Sequence, residues 1–154
     1  MSRERSFDGR HVVVTGGTGA LGSAVVEGLV QMGATCHIPC YAESELERFG
    51  LADHDQVHVT LDVDLTSEPQ AVAFYEALPA CWASIHITGG FTMAPVAKTT
   101  AQDMERMFKL NVMTCFLSCR EAIRVMRTRP EHGGRIVNIA ARPALAPTGG
   151  MTAY

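Results

Sequence analysis

The sequence of 154 residues lacks any excess of positive charge, since 13 Lys and Arg stand against 16 Asp and Glu for a formal net charge of -3. It carries no basic stripe, so the electrostatic footprint of a nucleic-acid binder is missing. No apolar stretch approaches membrane-spanning length, and no apolar segment backs the charged start Met-Ser-Arg-Glu-Arg-Ser. These absences argue against membrane and secretory proteins and lead us to expect a cytoplasmic one. Repeats, linkers and low-complexity tracts are also missing. With 47% hydrophobic residues the chain is expected to build one core and a single domain over residues 1–154.

Cysteine is present but unorganised. Cys36 and Cys40 fall on or just after one strand, Cys115 and Cys119 lie one helical turn apart, and Cys81 stands beside Trp82. No histidine near Cys115 and Cys119 in the chain completes a familiar ligand spacing, so no metal site is expected. The five cysteines read as small buried hydrophobes in a reducing compartment.

What is present centres on residues 11–22. Val12, Val13 and Val14 make a β-branched run suited to a strand buried on both faces, and Thr15 opens a glycine-dense turn. Leu21, Ala24, Val25, Gly28, Leu29 and Met32 then recur at helical period, up to Gly33 as a C′ glycine. A strand, a glycine turn and a helix in this order suit phosphate binding. Gly16 lets the chain reverse, Gly19 lets backbone approach a diphosphate, and Gly22 lets the helix pack on its strand. The amides and positive dipole end of the helix then face the anion. Taken alone, such glycines also serve as plain tight connections; the flanking strand and helix favour the phosphate reading.

Downstream, Ala34 to Ile38 reads as a second strand closed by Pro39. A carboxylate at its end would bind adenosine ribose hydroxyls, whereas a basic residue would favour a 2′-phosphate. Cys40 and Tyr41 occupy those positions. Glu43 and Glu45 follow in the first turn of a short helix, Glu43 to Phe49, where they also serve simply to favour its start. Val57 to Val63 forms a third strand with Asp62 and Asp64 at its exit. Ser67 and Gln70 make a capping box for a helix that carries Ala71, Phe74, Tyr75 and Leu78 on its buried stripe and ends at Pro79.

Ala83 to Thr88 is a fourth strand, running into Gly89 and Gly90; its His86 reads as a packed core residue. A long helix is expected from Ala101 to about Arg127, capped by Thr99 or Thr100. Met104, Phe108, Cys115, Cys119, Ala122 and Met126 lie near one face, with Asn111 as a polar interruption. Pro130, Gly133 and Gly134 break it before a fifth strand, Arg135 to Ala140. Strands alternating with helices require right-handed crossovers. The expected fold is therefore α/β, a Rossmann-type doubly wound parallel sheet of five strands in which the turn at Gly16, Asp64 and Gly89 converge on one crevice at the carboxyl ends.

This pattern resembles the short-chain dehydrogenase/reductase family over essentially the whole chain. The run Thr15-Gly16-Gly17-Thr18-Gly19-Ala20-Leu21-Gly22 corresponds to its cofactor loop, with Ala20 where the usual spelling has its middle glycine. Asp64 matches the residue that meets the adenine ring. His86-Ile87-Thr88-Gly89 stands where Asn-Asn-Ala-Gly is customary, Asn111 matches the helix asparagine of the catalytic set, and Gly134 to Asn138 resembles the strand before the active site.

The resemblance implies an NAD(P)-dependent oxidoreductase that moves hydride between nicotinamide and a small carbonyl or alcohol substrate. Tyr154 falls at the proton-transferring tyrosine and Asn111 at its helix partner. The resemblance also implies cofactor contacts from Thr15 to Gly22, at Cys40 and Tyr41, at Asp64, and at Gly89 and Gly90, with NAD and NADP both left open. A homodimer or tetramer through the long helix is expected as well. Two features depart from the pattern. Ala141 takes the serine position thirteen residues before Tyr154, with Thr148 and Thr152 as substitutes for its hydroxyl. The lysine position, four residues after Tyr154, lies past the last residue.

The chain is therefore expected to be the N-terminal part of a longer reductase, incomplete at its C-terminus and a poor dehydrogenase by itself. Two alternatives remain: a noncatalytic dinucleotide-binding module or regulatory remnant, and an unrelated doubly wound domain holding flavin or another phosphate ligand.

Overall fold

In the computed structural model, which describes residues 6–128 and 133–154, five parallel strands form one sheet in the order β3-β2-β1-β4-β5. The strands are β1 (His11–Thr15), β2 (Thr35–Pro39), β3 (Val57–Thr60), β4 (Ala83–His86) and β5 (Arg135–Asn138). The helices are α1 (Ala20–Gln31), α2 (Glu68–Glu76), α3 (Ala101–Met107) and α4 (Thr114–Arg127). The expected doubly wound α/β fold is thus observed.

Side-chain alternation divides the core into two layers. Val12 and Val14 of β1, with Cys36, Ile38, Val57 and Ala83, pack under Val26, Leu29 and Val30 of α1. Val13 points the other way and joins Phe74 and Tyr75 of α2 and Leu117 and Ala122 of α4. The crossing point of the strand order lies between β1 and β4, because β1 pairs with β2 on one side and β4 on the other. The first crevice at the carboxyl ends of the strands opens there.

Several elements end earlier than their hydrophobic pattern suggests. The third strand stops at Thr60 rather than Val63, because Asp62 adopts a left-handed backbone (φ 58°). The excursion does not lose the neighbour, since the Val63 amide donates to the Cys40 carbonyl at 3.0 Å. It does change the side, because Val59 packs on the α1 layer while Val63 joins the α2/α4 layer. An uninterrupted strand would have kept both on one face. The fourth and fifth strands likewise end at His86 and Asn138, short of Thr88 and Ala140. Pro39 lies inside the second strand as its last residue, opposite Thr60, where a missing amide costs little.

The helices carry three corrections. The Ser67–Gln70 capping box is not formed: Ser67 makes no side-chain cap, and Gln70 Oε1 instead accepts the Asp64 amide at 2.7 Å. That helix ends at Glu76, three residues before Pro79. Glu43 to Phe49 is a 3-10 turn over Glu43–Arg48. The long helix expected from Ala101 to Arg127 starts at a capping box of Thr100 with Asp103, but a π-helical turn, Phe108–Met113, splits it into α3 and α4. The wider turn shifts the buried stripe. Met107, Thr114, Leu117, Ser118, Glu121 and Ala122 are buried, while Met104 and Phe108 of the expected face are exposed. Pro130 lies outside the described residues. Gly33 does sit at C′ of α1, with φ 93°.

Candidate functional site: a glycine-walled cleft at the carboxyl end of the sheet

The turn after β1 is built by close contacts that only glycine allows. Gly16 has φ 67°, and a Cβ on it would stand 2.9 Å from the Thr88 amide nitrogen. A Cβ on Gly22 would collide with the Gly16 carbonyl oxygen. Gly19 differs, since a Cβ there would meet only the Gly16 oxygen, at 3.4 Å. The turn is therefore filled from behind and open in front. Gly19 is also the N-cap of α1, and no side chain caps that helix, so the protein's own side chains leave the amides of its first turn available to an anion.

These features open on a cleft of about 1570 Å³, well above the roughly 300–1,000 Å³ of ordinary small-ligand pockets. Of the expected cofactor residues, Gly16, Thr18, Gly19, Ala20, Leu21, Gly22, Tyr41, Asp64 and Gly89 line it. Thr15, Gly17, Cys40 and Gly90 do not. Thr15 is buried, and its hydroxyl accepts the amides of Ile87 (3.2 Å) and Thr88 (3.3 Å), tying the exits of β1 and β4 together behind the cleft. Cys40 is fully buried, donates its thiol to the Ala42 carbonyl at 3.2 Å, and has its pKa raised chiefly by burial and then by the Glu45 carboxylate. The β2 register turns it inward, away from the place expected for it beside the ribose.

Asp64 holds its loop by accepting from both the amide (2.8 Å) and the hydroxyl (2.7 Å) of Thr66. Glu45 was legible as a carboxylate just past the ribose position and as a helix-start residue. In the fold it also reaches across the cleft wall, where its Oε2 accepts the Thr18 hydroxyl at 2.7 Å. Thr66, Arg106, Lys109 and Leu110 also line the cleft and were not assigned to it from the sequence; their positions come from a loop exit, the end of α3 and the π turn.

Asn111 stands behind the wall. Its Oδ1 accepts the Gly90 amide at 3.0 Å, and its Nδ2 donates to the Gly90 carbonyl at 3.1 Å and the Met107 carbonyl at 3.0 Å. Gly89 and Gly90 are needed for this approach, since a Cβ on the first would stand 2.6 Å from Asn111 Oδ1 and on the second 2.6 Å from Leu110 Cδ1. Tyr154 does not line the cleft but is brought beside Phe91, the residue after Gly90. Ala94 donates its amide to the Gly150 carbonyl at 2.8 Å, a parallel bridge joins Ala94 to Met151, and the Tyr154 ring meets Phe91 edge-on with centroids 4.9 Å apart. Ala141 precedes a short 3-10 turn and carries no hydroxyl, while the Thr148 hydroxyl donates to Ala146 at 3.4 Å.

His86 is buried at 4% exposure, with Nε2 2.8 Å from Ser84 Oγ and Nδ1 2.7 Å from Asn138 Oδ1. Burial lowers its pKa, partly opposed by the Asn138 bond. The residues present fit a dinucleotide: an uncapped helix start and an open glycine for the diphosphate, and an elongated cleft running from there toward both Asp64 and Gly89.

Comparison with known proteins gives the family and the fold. A family profile described as short chain dehydrogenase matches residues 10–154. The chain is 28% identical to a PIGF/3-ketodihydrosphingosine reductase fusion protein of Schizosaccharomyces pombe, over 96% of this chain and 31% of that protein. It is 29% identical to a cyclopentanol dehydrogenase of Comamonas sp., over 93% of this chain and 59% of that protein. It thus spans about a third to three-fifths of these relatives. A crystal structure of NAD+-bound xylitol dehydrogenase shares the fold, with a TM-score of 0.86 at 24% identity, over 96% of this chain and 59% of that one. Over residues 10–154, the chain belongs to the short chain dehydrogenase family.

Proposed function

We propose that this chain is the dinucleotide-binding portion of an NAD(P)-dependent oxidoreductase acting on a small carbonyl or alcohol compound. The observation that carries this reading is the open face of Gly19 at an uncapped helix start inside the long cleft. The amides of α1 hold the diphosphate, and Asp64 and Glu45 border the adenosine half of the cleft. Bound nicotinamide supplies or accepts a hydride. Asn111 fixes the Gly89–Gly90 exit, which would border the nicotinamide half, and Tyr154 beside Phe91 would be the proton-transferring group.

Ala141 favours a second reading, a noncatalytic binding module, because no hydroxyl steadies a substrate oxygen from the position where the family carries serine. The apolar residues exposed along α3, the π turn and α4, namely Met104, Phe108, Val112, Phe116 and Ile123, suit a homodimer or tetramer through that surface. Five free cysteines suit the reducing cytoplasm. No helix among the described residues is long and apolar enough to cross a membrane.

The test is Gly19→Asp. Asp is a favoured N-cap and meets no clash here, so the variant should fold and keep or gain stability, by about 0.5 kcal/mol. Its carboxylate would stand where the diphosphate lies. NADH and NADPH titrations, read by the nucleotide's own fluorescence, should show binding to the unmodified chain and a loss of at least about tenfold in the variant. Equal binding by both would overturn the assignment.

A further inference from the structure

We propose that His86, Cys115 and Cys119 form a binding site for a thiophilic divalent cation of the zinc type. Cys115 and Cys119, one turn apart on α4, meet His86 where α4 crosses β4, with one ligand atom from each all within 4.8 Å of one another. His86 Nδ1 is 3.5 Å from Cys119 Sγ. A tetrahedral zinc with Zn–S near 2.3 Å and Zn–N near 2.0 Å sets its ligand atoms roughly 3.5–3.8 Å apart. Side-chain rotation alone therefore closes the set. Two sulfurs and one imidazole nitrogen select zinc over magnesium or calcium. The fourth position falls to water or to the carboxamide oxygen of Asn138, which lies 3.5 Å from Cys119 Sγ and whose 2.7 Å hydrogen bond from His86 Nδ1 the metal would replace.

The surroundings prepare the histidine. Ser84 Oγ lies 2.8 Å from His86 Nε2 and 2.9 Å from the Tyr75 hydroxyl, all buried. In this structure His86 Nδ1 donates to Asn138 Oδ1 at 2.7 Å; metal binding moves the ring proton to Nε2, where Ser84 Oγ at 2.8 Å accepts it and the Nδ1 lone pair is left for the cation, the outer-shell arrangement that orients ligating imidazoles. Binding converts two thiols to thiolates and releases two protons to solvent. Cys115 and Cys119 are only half-buried, unlike Cys36 and Cys81, which are buried in the core. The site is independent of the cleft: none of its ligands lines it. It would pin β4 three residues before Gly89 to α4 four residues after Asn111, the same two segments that Asn111 joins.

The experiment uses the unmodified chain, purified with a non-chelating reductant. Cobalt(II) should give thiolate-to-metal charge-transfer absorption and the intense ligand-field bands of a tetrahedral site, at one equivalent, with zinc displacing it. In competition with a chromophoric chelator, Cys115→Ser, Cys119→Ser and His86→Gln should each weaken zinc by on the order of 100-fold, and Ser84→Ala by about tenfold. Cys81→Ala should leave zinc affinity unchanged. Absence of the thiolate band in the unmodified chain overturns the site without any variant. So does zinc affinity that survives both Cys115→Ser and Cys119→Ser, the conservative half-buried changes. No nucleotide enters these readouts, so they stand or fall apart from the dinucleotide reading.

Discussion

Asn111 and Gly90 exchange a reciprocal pair of hydrogen bonds, side-chain oxygen to backbone amide at 3.0 Å and side-chain nitrogen to backbone carbonyl at 3.1 Å, as two neighbouring strands would. A loop leaving β4 is thereby fastened to the π turn between α3 and α4. The same Asn111 nitrogen also takes the Met107 carbonyl, which in a regular α-turn would accept the amide of residue 111.

Asn111→Ala is expected to lose all three of these bonds and to destabilise the chain by about 2–4 kcal/mol, since the three freed groups are backbone polar atoms in part-buried surroundings. Urea denaturation reads the loss, and amide exchange at Gly90 should accelerate beyond the global change. A Gly90 amide that exchanges no faster than its neighbours would show that the pairing does not hold the loop.

Thr15→Val keeps the shape of a buried side chain but removes the acceptor for the Thr88 amide. A cost of about 1–3 kcal/mol is expected. Because Thr88 lines the cleft, NADH affinity should fall along with stability. Unchanged affinity in a destabilised variant would separate the clamp from the site.

Glu45→Gln should raise affinity for NADPH relative to NADH by roughly fivefold. Its carboxylate is held at the cleft by Thr18, and removing one charge several ångströms from a 2′-phosphate is worth on the order of 1 kcal/mol at surface dielectric. Arg48 in the same turn supplies an opposing charge that is equal in both proteins. Paired titrations of the variant and the parent check the ratio.

Stability should decline as pH falls from about 6.5 to about 4. Burial, and then the nearby His11 and His58, lower the His37 pKa from 6.5 to about 4. Between those values the unfolded chain binds a proton that the folded chain refuses, so folding loses up to roughly 3 kcal/mol across the window and nothing above it. His86, also lowered by burial, acts in the same direction. Urea midpoints measured across this range should fall steadily in the parent. In His37→Phe they should flatten to what His86 contributes.

The parallel sheet, the glycine turn and the two-layer core were legible because each is written in local pattern. Val12 to Val14 read as a strand buried on both faces, and at Gly16 and Gly22 the close backbone contacts require the glycines that the spacing pointed to. Asn111 stood out because an amide inside an apolar helix face needs a partner. Other features were set by contacts between distant segments. The left-handed backbone at Asp62 ended β3 early, and the π turn moved the buried stripe of α3 and α4, neither of which hydrophobic spacing records.

Local sequence alone therefore determined which segments become strands and helices and where a phosphate-seeking turn lies, because backbone sterics and burial period act within a few residues. Tertiary structure alone decided which side chains meet. It turned Cys40 inward, carried Glu45 to Thr18, and brought His86 to Cys115 and Cys119, because register and helix packing place residues 27 to 33 positions apart within hydrogen-bond reach of one another.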